Sequence, residues 1–136
     1  MKKSIRILAL TMVTVMLCLT LASCGGPNAD PNKALESLKD NGITWAGKDT
    51  IVIPMALGAL GVDGIDTVVS GTGKIDDKYA HITIIYFEEK EDANDAWENV
   101  QKYADDKKDD DASDWVCKKS GKMIYFGTKA AIKAAK

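Results

Sequence analysis

Histidine and arginine are almost missing from this sequence, and each absence argues against a kind of site. The 136 residues include one histidine, His81, and one arginine, Arg6, beside three cysteines and three prolines. A transition-metal centre needs several imidazole or thiolate ligands, and phosphate recognition favours guanidinium groups, so both kinds of site are disfavoured. The sequence therefore predicts no metal centre, and no cofactor is expected.

The rest of the composition is that of a folded chain. Hydrophobic residues make up 46% and charged residues 28% of the sequence, and glycine and proline are too few for a fibrous or disordered protein. The length is enough for one domain and excludes a large multidomain enzyme.

The first residues have the pattern of a secretory signal. Lys2, Lys3 and Arg6 are followed by the uncharged segment 7–21, and Gly25, Gly26 and Pro27 come next. A spanning helix needs about 20 apolar residues, so this shorter segment is typical of a signal peptide rather than of a retained anchor.

Leu21-Ala22-Ser23-Cys24 ends this segment and resembles the lipobox of bacterial lipoproteins. The resemblance implies cleavage between Ser23 and Cys24, a diacylglyceryl group on the Cys24 sulfur, and an optional acyl group on the new N-terminus. Two lipid chains anchor a protein stably because each buried methylene contributes about 0.8 kcal/mol. The expected location is the extracytoplasmic face of a cell membrane, with a signal peptide at 1–23, the lipidated cysteine and a short tether at 24–29, and one domain at 30–136.

Processing would change both the cysteine count and the charge. Cys18 would leave with the signal peptide and Cys24 would carry lipid, so Cys117 would be the one remaining thiol and no intrachain disulfide could form. Loss of the three basic residues in 1–23 leaves 15 lysines against 20 acidic residues, a formal net charge of −5. Nucleic acid is therefore not expected as a partner, because its recognition depends on basic surfaces.

The mature chain predicts an α+β fold: a small antiparallel sheet of about four strands with helices packed on one face. Asp30 and Pro31 are typical of a helix start and Gly42 of a helix end, after which Ile43 and Trp45 are expected to enter the core. Strands at 64–73 and 79–88 are predicted to pair as a hairpin through 74–78.

A helix is predicted from Glu91 onwards, because apolar residues recur there at helical spacing: Ala93, Ala96, Trp97, Val100, Tyr103 and Ala104. A charged loop at 107–114, two strands at 115–119 and 122–127 joined at Ser120-Gly121, and a last helix capped by Thr128 complete the prediction.

The segment from Ile51 to Val62 has no charged residue and allows two interpretations. Pro54 favours a short strand ending at Ile53, followed by a turn or helical segment at 55–60. A buried core element is the preferred interpretation. The alternative is an exposed patch that binds a hydrophobic ligand or faces a membrane.

Three groups of residues are candidates for chemistry, and each has a simpler structural explanation. His81 and Cys117 would form a nucleophilic pair only if they were adjacent; a partly exposed structural histidine, on one strand face with Tyr79 and Thr83, and a buried cysteine are favoured. Gly71-Thr72-Gly73-Lys74 lacks the spacing of a phosphate loop and is interpreted as a hairpin turn. A solvated loop is favoured over a Ca²⁺ site for the acidic run that comprises Asp105, Asp106, Asp109, Asp110, Asp111 and Asp114.

The sequence thus favours a non-enzymatic lipoprotein that acts as a binding or accessory module of the cell envelope. Its partners would be the membrane, through the lipid on Cys24, and an unknown envelope protein that docks on a strand edge or an apolar patch. Two alternatives remain: a lipoprotein that binds an apolar small molecule through the Ile51–Val62 segment, and a small envelope hydrolase that uses clustered carboxylates or His81.

Overall fold

Five antiparallel strands and four helices make up the part of the chain that this computed structural model describes, residues 26–108 and 114–136. The sheet has the strand order β1-β2-β3-β5-β4, so the predicted α+β class is confirmed. In chain order the elements are α1 (Pro31–Asp40), β1 (Trp45–Lys48), α2 (Val52–Ala59), β2 (Ile65–Ile75), β3 (Lys78–Phe87), α3 (Lys90–Lys107), β4 (Trp115–Ser120), β5 (Met123–Thr128) and α4 (Lys129–Ala134).

The first helix begins and ends where the sequence predicts. The Asp30 carboxylate accepts hydrogen bonds from the backbone N–H groups of Asn32, at 2.9 Å, and Lys33, at 3.4 Å. Pro31 occupies the first turn, where its missing N–H has no helical partner to lose. Gly42 follows the helix with φ +97°, a conformation that favours glycine.

Helix α2 replaces the strand that was predicted to end at Ile53, so that prediction is wrong. Pro54 lies in the first turn of the helix, where a proline costs no intrahelical hydrogen bond. The Asp49 carboxylate accepts from the N–H groups of Ile51, Val52 and Ile53 at 3.0, 2.9 and 3.1 Å. This cap explains why the helix begins before the proline; the predicted helical segment at 55–60 does lie largely within it.

Both predicted hairpins form, but the turn of the first hairpin comes after the glycine-rich segment 71–74. Asp76 and Asp77 make the β2–β3 turn, with φ of 52° and 64°. The interpretation of Gly71–Lys74 as a turn is wrong, since these residues lie within β2. Ile43 packs over them: a Cβ on Gly71 would come within 2.7 Å of the Ile43 side chain, so glycine allows this close approach.

Helices cover both faces of the sheet, which corrects the prediction that they pack on one. Helices α1 and α4 pack on the face that carries Ile82, Ile84 and Tyr125, here the α1/α4 face. Helices α2 and α3 pack on the face that carries Ile85 and Phe126, here the α2/α3 face. The reason lies in the central strands, where every residue from Ile82 to Phe87 and from Met123 to Thr128 is buried. Strands that are apolar on both sides need cover on both sides.

Two further expectations about single residues are wrong. Ile43 is buried as predicted, but Trp45 is 81% exposed. Ala46 packs against the α1/α4 core, so strand alternation directs its neighbour Trp45 to the other face, at the edge of the sheet. Thr128 precedes α4 without a capping side-chain bond, because its hydroxyl accepts from the His81 N–H at 3.3 Å.

Candidate binding site

A cleft lies between α2, α3 and the sheet on the α2/α3 face. Its volume is about 260 Å³. Strand alternation places Tyr79, His81 and Thr83 on this face, as the sequence predicts. We call it the aromatic cleft, and its lining residues are Ile53, Tyr79, His81, Thr83, Tyr103, Lys107, Trp115 and Phe126.

Aromatic rings form most of the cleft wall. The His81 ring lies between Tyr79 and Trp115, with centroid distances of 6.5 and 5.8 Å and ring planes within 2° of parallel in both pairs. Tyr103 of α3 meets Phe126 edge-on, at a centroid distance of 6.0 Å and an angle of 69°. The three parallel rings come from β3 and β4, two strands that β5 separates.

Two polar atoms in this wall are buried without a hydrogen-bond partner among residues 26–108 and 114–136. They are Nδ1 of His81 and Nε1 of Trp115. The other imidazole nitrogen, Nε2, lies 3.3 Å from the Thr83 hydroxyl oxygen. Leaving a buried donor unsatisfied costs about 1 to 3 kcal/mol, and an indole N–H can only donate. Both nitrogens are closed to solvent, so they are unsatisfied within the folded domain and are not exposed to the cleft.

The charge state of the cleft follows from its burial. Desolvation lowers the pKa of His81 below 6.5, so the imidazole is neutral at pH 7. Burial, and next the Asp49 carboxylate, raise the pKa of Tyr103, which stays a neutral phenol. The Lys107 ammonium nitrogen lies 5.5 Å from the Tyr103 ring centroid. The cleft wall is thus aromatic and carries one charged group, the Lys107 ammonium, while the Asp49 carboxylate lies outside the lining.

Helix α2 carries a second candidate surface. Its inner side is buried through Ile53 and Leu57, which agrees with the interpretation as a core element. Its outer side is exposed and apolar, which agrees with the alternative interpretation as an exposed apolar patch. Each interpretation therefore describes one side of the helix. Met55 is 71% exposed. We call the exposed side the apolar α2 surface; it consists of Val52 and Met55 in the helix and Ile51 just before it.

The chain enters the domain on the face opposite to both surfaces. The Asn28 N–H donates to the Ala135 carbonyl oxygen at 2.8 Å, and the Tyr86 hydroxyl donates to the Asn28 carbonyl oxygen at 2.7 Å. Both partners belong to the α1/α4 face. Residues 26–29, expected to be a tether, are therefore packed against the domain. The predicted cleavage site Ser23 and lipid site Cys24 lie outside the described residues.

The predicted nucleophile candidates differ in environment from an activated pair. Cys117 is half-buried on β4, and burial, together with the nearby Asp105, raises its pKa to about 11. Activation of a thiol requires the opposite shift. The hydrogen-bond contact of the His81 ring within the described chain is with Thr83.

The acidic run lies partly beyond the described residues, because 109–113 are not among them. In the part of the chain that the structure covers, no three His, Cys, Asp or Glu side chains are grouped as a metal site would require. Likewise, none of the helices described is long and apolar enough to cross a bilayer.

Sequence reasoning did not find the aromatic cleft. The apolar helical spacing accounts for Tyr103, and His81 is interpreted there as a structural histidine. The available signal was the alternation that puts Tyr79, His81 and Thr83 on one face, but the neighbouring β4 could not be placed beside them without the strand order. No protein-family model matches the chain, and neither curated proteins nor solved structures gave a significant match.

Proposed function

We propose that the protein is a bacterial lipoprotein, anchored through Cys24 at the extracytoplasmic face of a membrane, whose domain is a non-enzymatic binding module for another envelope protein. The observation that carries the binding role is the apolar α2 surface. Val52 and Met55 in the helix, and Ile51 just before it, are large, apolar and exposed. Contiguous apolar side chains at a surface are typical of protein interaction sites.

The position of this surface suits a partner beyond the protein's own membrane. Residues 26–29 approach on the α1/α4 face, whereas α2 lies on the other side of the sheet. A lipid two residues before Gly26 would hold the α1/α4 face nearer to the bilayer. The apolar α2 surface would then point away from the membrane and towards an envelope partner.

Site-specific photo-cross-linking in intact cells tests this proposal. A benzophenone amino acid at Met55 should give one discrete protein adduct, and the same probe at exposed Lys33 of α1, on the other face, should not. Cys24→Ala should weaken the adduct, since it would release the domain from the membrane. An adduct equally strong from both positions, or none from Met55, would contradict docking on α2.

A second function is favoured by a separate observation, the aromatic cleft. Its volume of about 260 Å³ is close to the few hundred Å³ expected of a small-ligand site, and Ile53 of the uncharged segment forms part of its wall. Binding of a small molecule is therefore the second candidate.

A further inference from the structure

The lysines of β4, β5 and α4 are not balanced by acidic residues. Residues 115–136, which contain these three elements, include six lysines and no acidic residue, although the mature chain as a whole would carry a formal net charge of −5. Helix α3 has the opposite balance, with six acidic residues against three lysines. Because α3 and α4 pack on opposite faces of the sheet, the domain has an acidic side and a basic side.

Four of these lysines surround one open pocket on the α1/α4 face. We call them the lysine patch: Lys118, Lys129, Lys133 and Lys136. They come from β4, from α4 and from the position two residues after α4, and all four are exposed. The other residues that line the pocket are uncharged. Helix α1, on the same face, carries two lysines and two acidic residues after its acidic cap, Asp30. The patch therefore has no acidic side chain in its own wall, and α1 balances its own charges.

The lysine patch borders the point where the chain enters the domain. Lys136 lines this pocket and also a neighbouring pocket, whose wall includes residues 26–29. The Asn28 N–H donates to the carbonyl oxygen of Ala135, the residue before Lys136, at 2.8 Å. Cys24 is four residues before Asn28, and four residues span at most about 14 Å. A lipid on Cys24 would therefore enter the bilayer close to the patch.

Lysine suits a fluid layer of headgroups better than a fixed phosphate site. Its ammonium is a point charge with three donors on a flexible stem, whereas a dedicated phosphate site favours the planar fork of arginine, which the mature chain lacks. An anionic membrane surface attracts basic side chains within about one Debye length, roughly 8 Å at physiological ionic strength. Because the anchor would hold the patch at the bilayer, the headgroups would be present at high effective concentration.

We propose that the lysine patch binds the anionic phospholipid headgroups of the membrane that carries the lipid anchor. This contact sets the orientation of the domain, with the α1/α4 face on the bilayer and the apolar α2 surface directed outward. The inference rests on the proposed lipid anchor, because the anchor brings the patch to the bilayer. It does not depend on which protein docks on α2.

A choice between two kinds of vesicle tests the proposal. The full lipidated chain, purified in detergent, is diluted into equal amounts of phosphatidylcholine vesicles and of vesicles that also contain anionic phosphatidylglycerol, and the two kinds are then separated. A net charge of −5 alone predicts repulsion from the anionic vesicles. The patch predicts instead at least about threefold more protein on them. The preference should vanish in about 0.5 M salt, where the Debye length is about 4 Å.

Two sets of substitutions with the same net charge separate the patch from the charge of the whole molecule. Each set changes the formal net charge from −5 to −9. The patch variant, which should lose the preference, combines Lys118→Gln, Lys129→Gln, Lys133→Gln and Lys136→Gln. The control variant, which should keep it, alters four exposed lysines outside the pocket: Lys74→Gln, Lys90→Gln, Lys102→Gln and Lys108→Gln. The wild-type distribution and its salt dependence stand without either variant if one fails to fold.

The outcomes distinguish the lysine patch from the lipid anchor. Equal protein on both vesicles, or more on the neutral ones, would keep the anchor and overturn the patch, as would a preference that both variants lose alike. Binding to the anionic vesicles alone, lost in the patch variant, would support the patch and contradict the anchor. Binding to neither would contradict both. A preference erased by about 10 mM inorganic phosphate at constant ionic strength would assign the pocket to free phosphate and overturn membrane binding.

Discussion

At the residue scale, His81 couples the folded state to pH. Burial lowers its pKa in the folded protein below the ordinary 6.5, so the unfolded chain binds the proton more tightly. The free energy of unfolding should therefore fall as the pH drops below about 6.5. The Tyr79, Tyr103 and Lys107 side chains share the cleft with the imidazole.

Urea denaturation between pH 7.5 and pH 5 measures this dependence. His81→Phe keeps a planar ring between Tyr79 and Trp115 and removes the titrating group. Its stability should therefore change less over that interval than the stability of the wild type. Parallel curves for the two proteins would show that His81 is not the group responsible.

Cys117 should react slowly with alkylating reagents. With a pKa of about 11, about one molecule in a thousand carries the thiolate at pH 8. The alkylation rate at Cys117, identified by comparison with Cys117→Ala, should rise about tenfold per pH unit up to pH 10. A rate that levels off between about pH 9 and pH 10 would mean an ordinary exposed thiol. Binding by Cys117→Ala should match the wild type.

Gly127 occupies a position that leaves no room for a side chain. Its φ is +148°, and a Cβ there would overlap the His81 carbonyl oxygen and lie 2.8 Å from the Ile82 Cα. Since both are backbone atoms of the neighbouring strand, Gly127→Ala should lower the free energy of unfolding by at least about 2 kcal/mol. The control is Gly58→Ala, in the exposed part of α2 with nothing within 4 Å; it should raise stability by about 0.5 to 1 kcal/mol. Urea denaturation measures the stability of both variants. A Gly127→Ala protein as stable as the wild type would contradict this packing.

At the element scale, α2 depends on the side chain that caps it. Asp49 satisfies three N–H groups of the first turn. Asp49→Ala should therefore cost about 1 to 2 kcal/mol in urea denaturation, and Asp49→Asn should cost less because it keeps one acceptor. Asp30→Ala, at the cap of α1, is the matched control and should cost about 1 kcal/mol. A loss at Asp30 with none at Asp49 would mean that packing alone holds α2.

Local patterns were enough to predict most elements. The apolar spacing of Ala93, Ala96 and Val100 predicts α3, and these residues are buried against the sheet. Alternation along β3 predicts which side chains accompany His81. These predictions succeed because each depends on neighbours within one or two turns of chain.

The errors arose where distant contacts decide. Trp45 is exposed because β1 is an edge strand, and an edge position depends on the whole strand order. Helices on both faces follow from the two-sided burial of β3 and β5. The error at Pro54 is of another kind, because the Asp49 cap that starts α2 before the proline is a local contact. Thr128 does not cap α4 because its hydroxyl bonds the neighbouring strand.

At the scale of the whole molecule, the sheet separates the point where the chain enters the domain from both candidate binding surfaces. The chain enters on the α1/α4 face through Asn28, whereas the aromatic cleft and the apolar α2 surface lie on the other face. The cleft could not be predicted from the sequence because its wall combines residues as distant in the chain as Ile53 and Phe126. Such a site exists only once the strands are ordered.

The proposed lipid anchor at Cys24, on which the central claim rests, is tested most directly by mass spectrometry of the N-terminal peptide from the protein purified out of native membranes. We expect a peptide that begins at Cys24 and carries a diacylglyceryl group, with or without a further acyl group, and a Cys24→Ala protein that leaves the membrane fraction. A chain that keeps residues 1–23 with an unmodified Cys24, and a Cys24→Ala protein that stays membrane-bound, would contradict it.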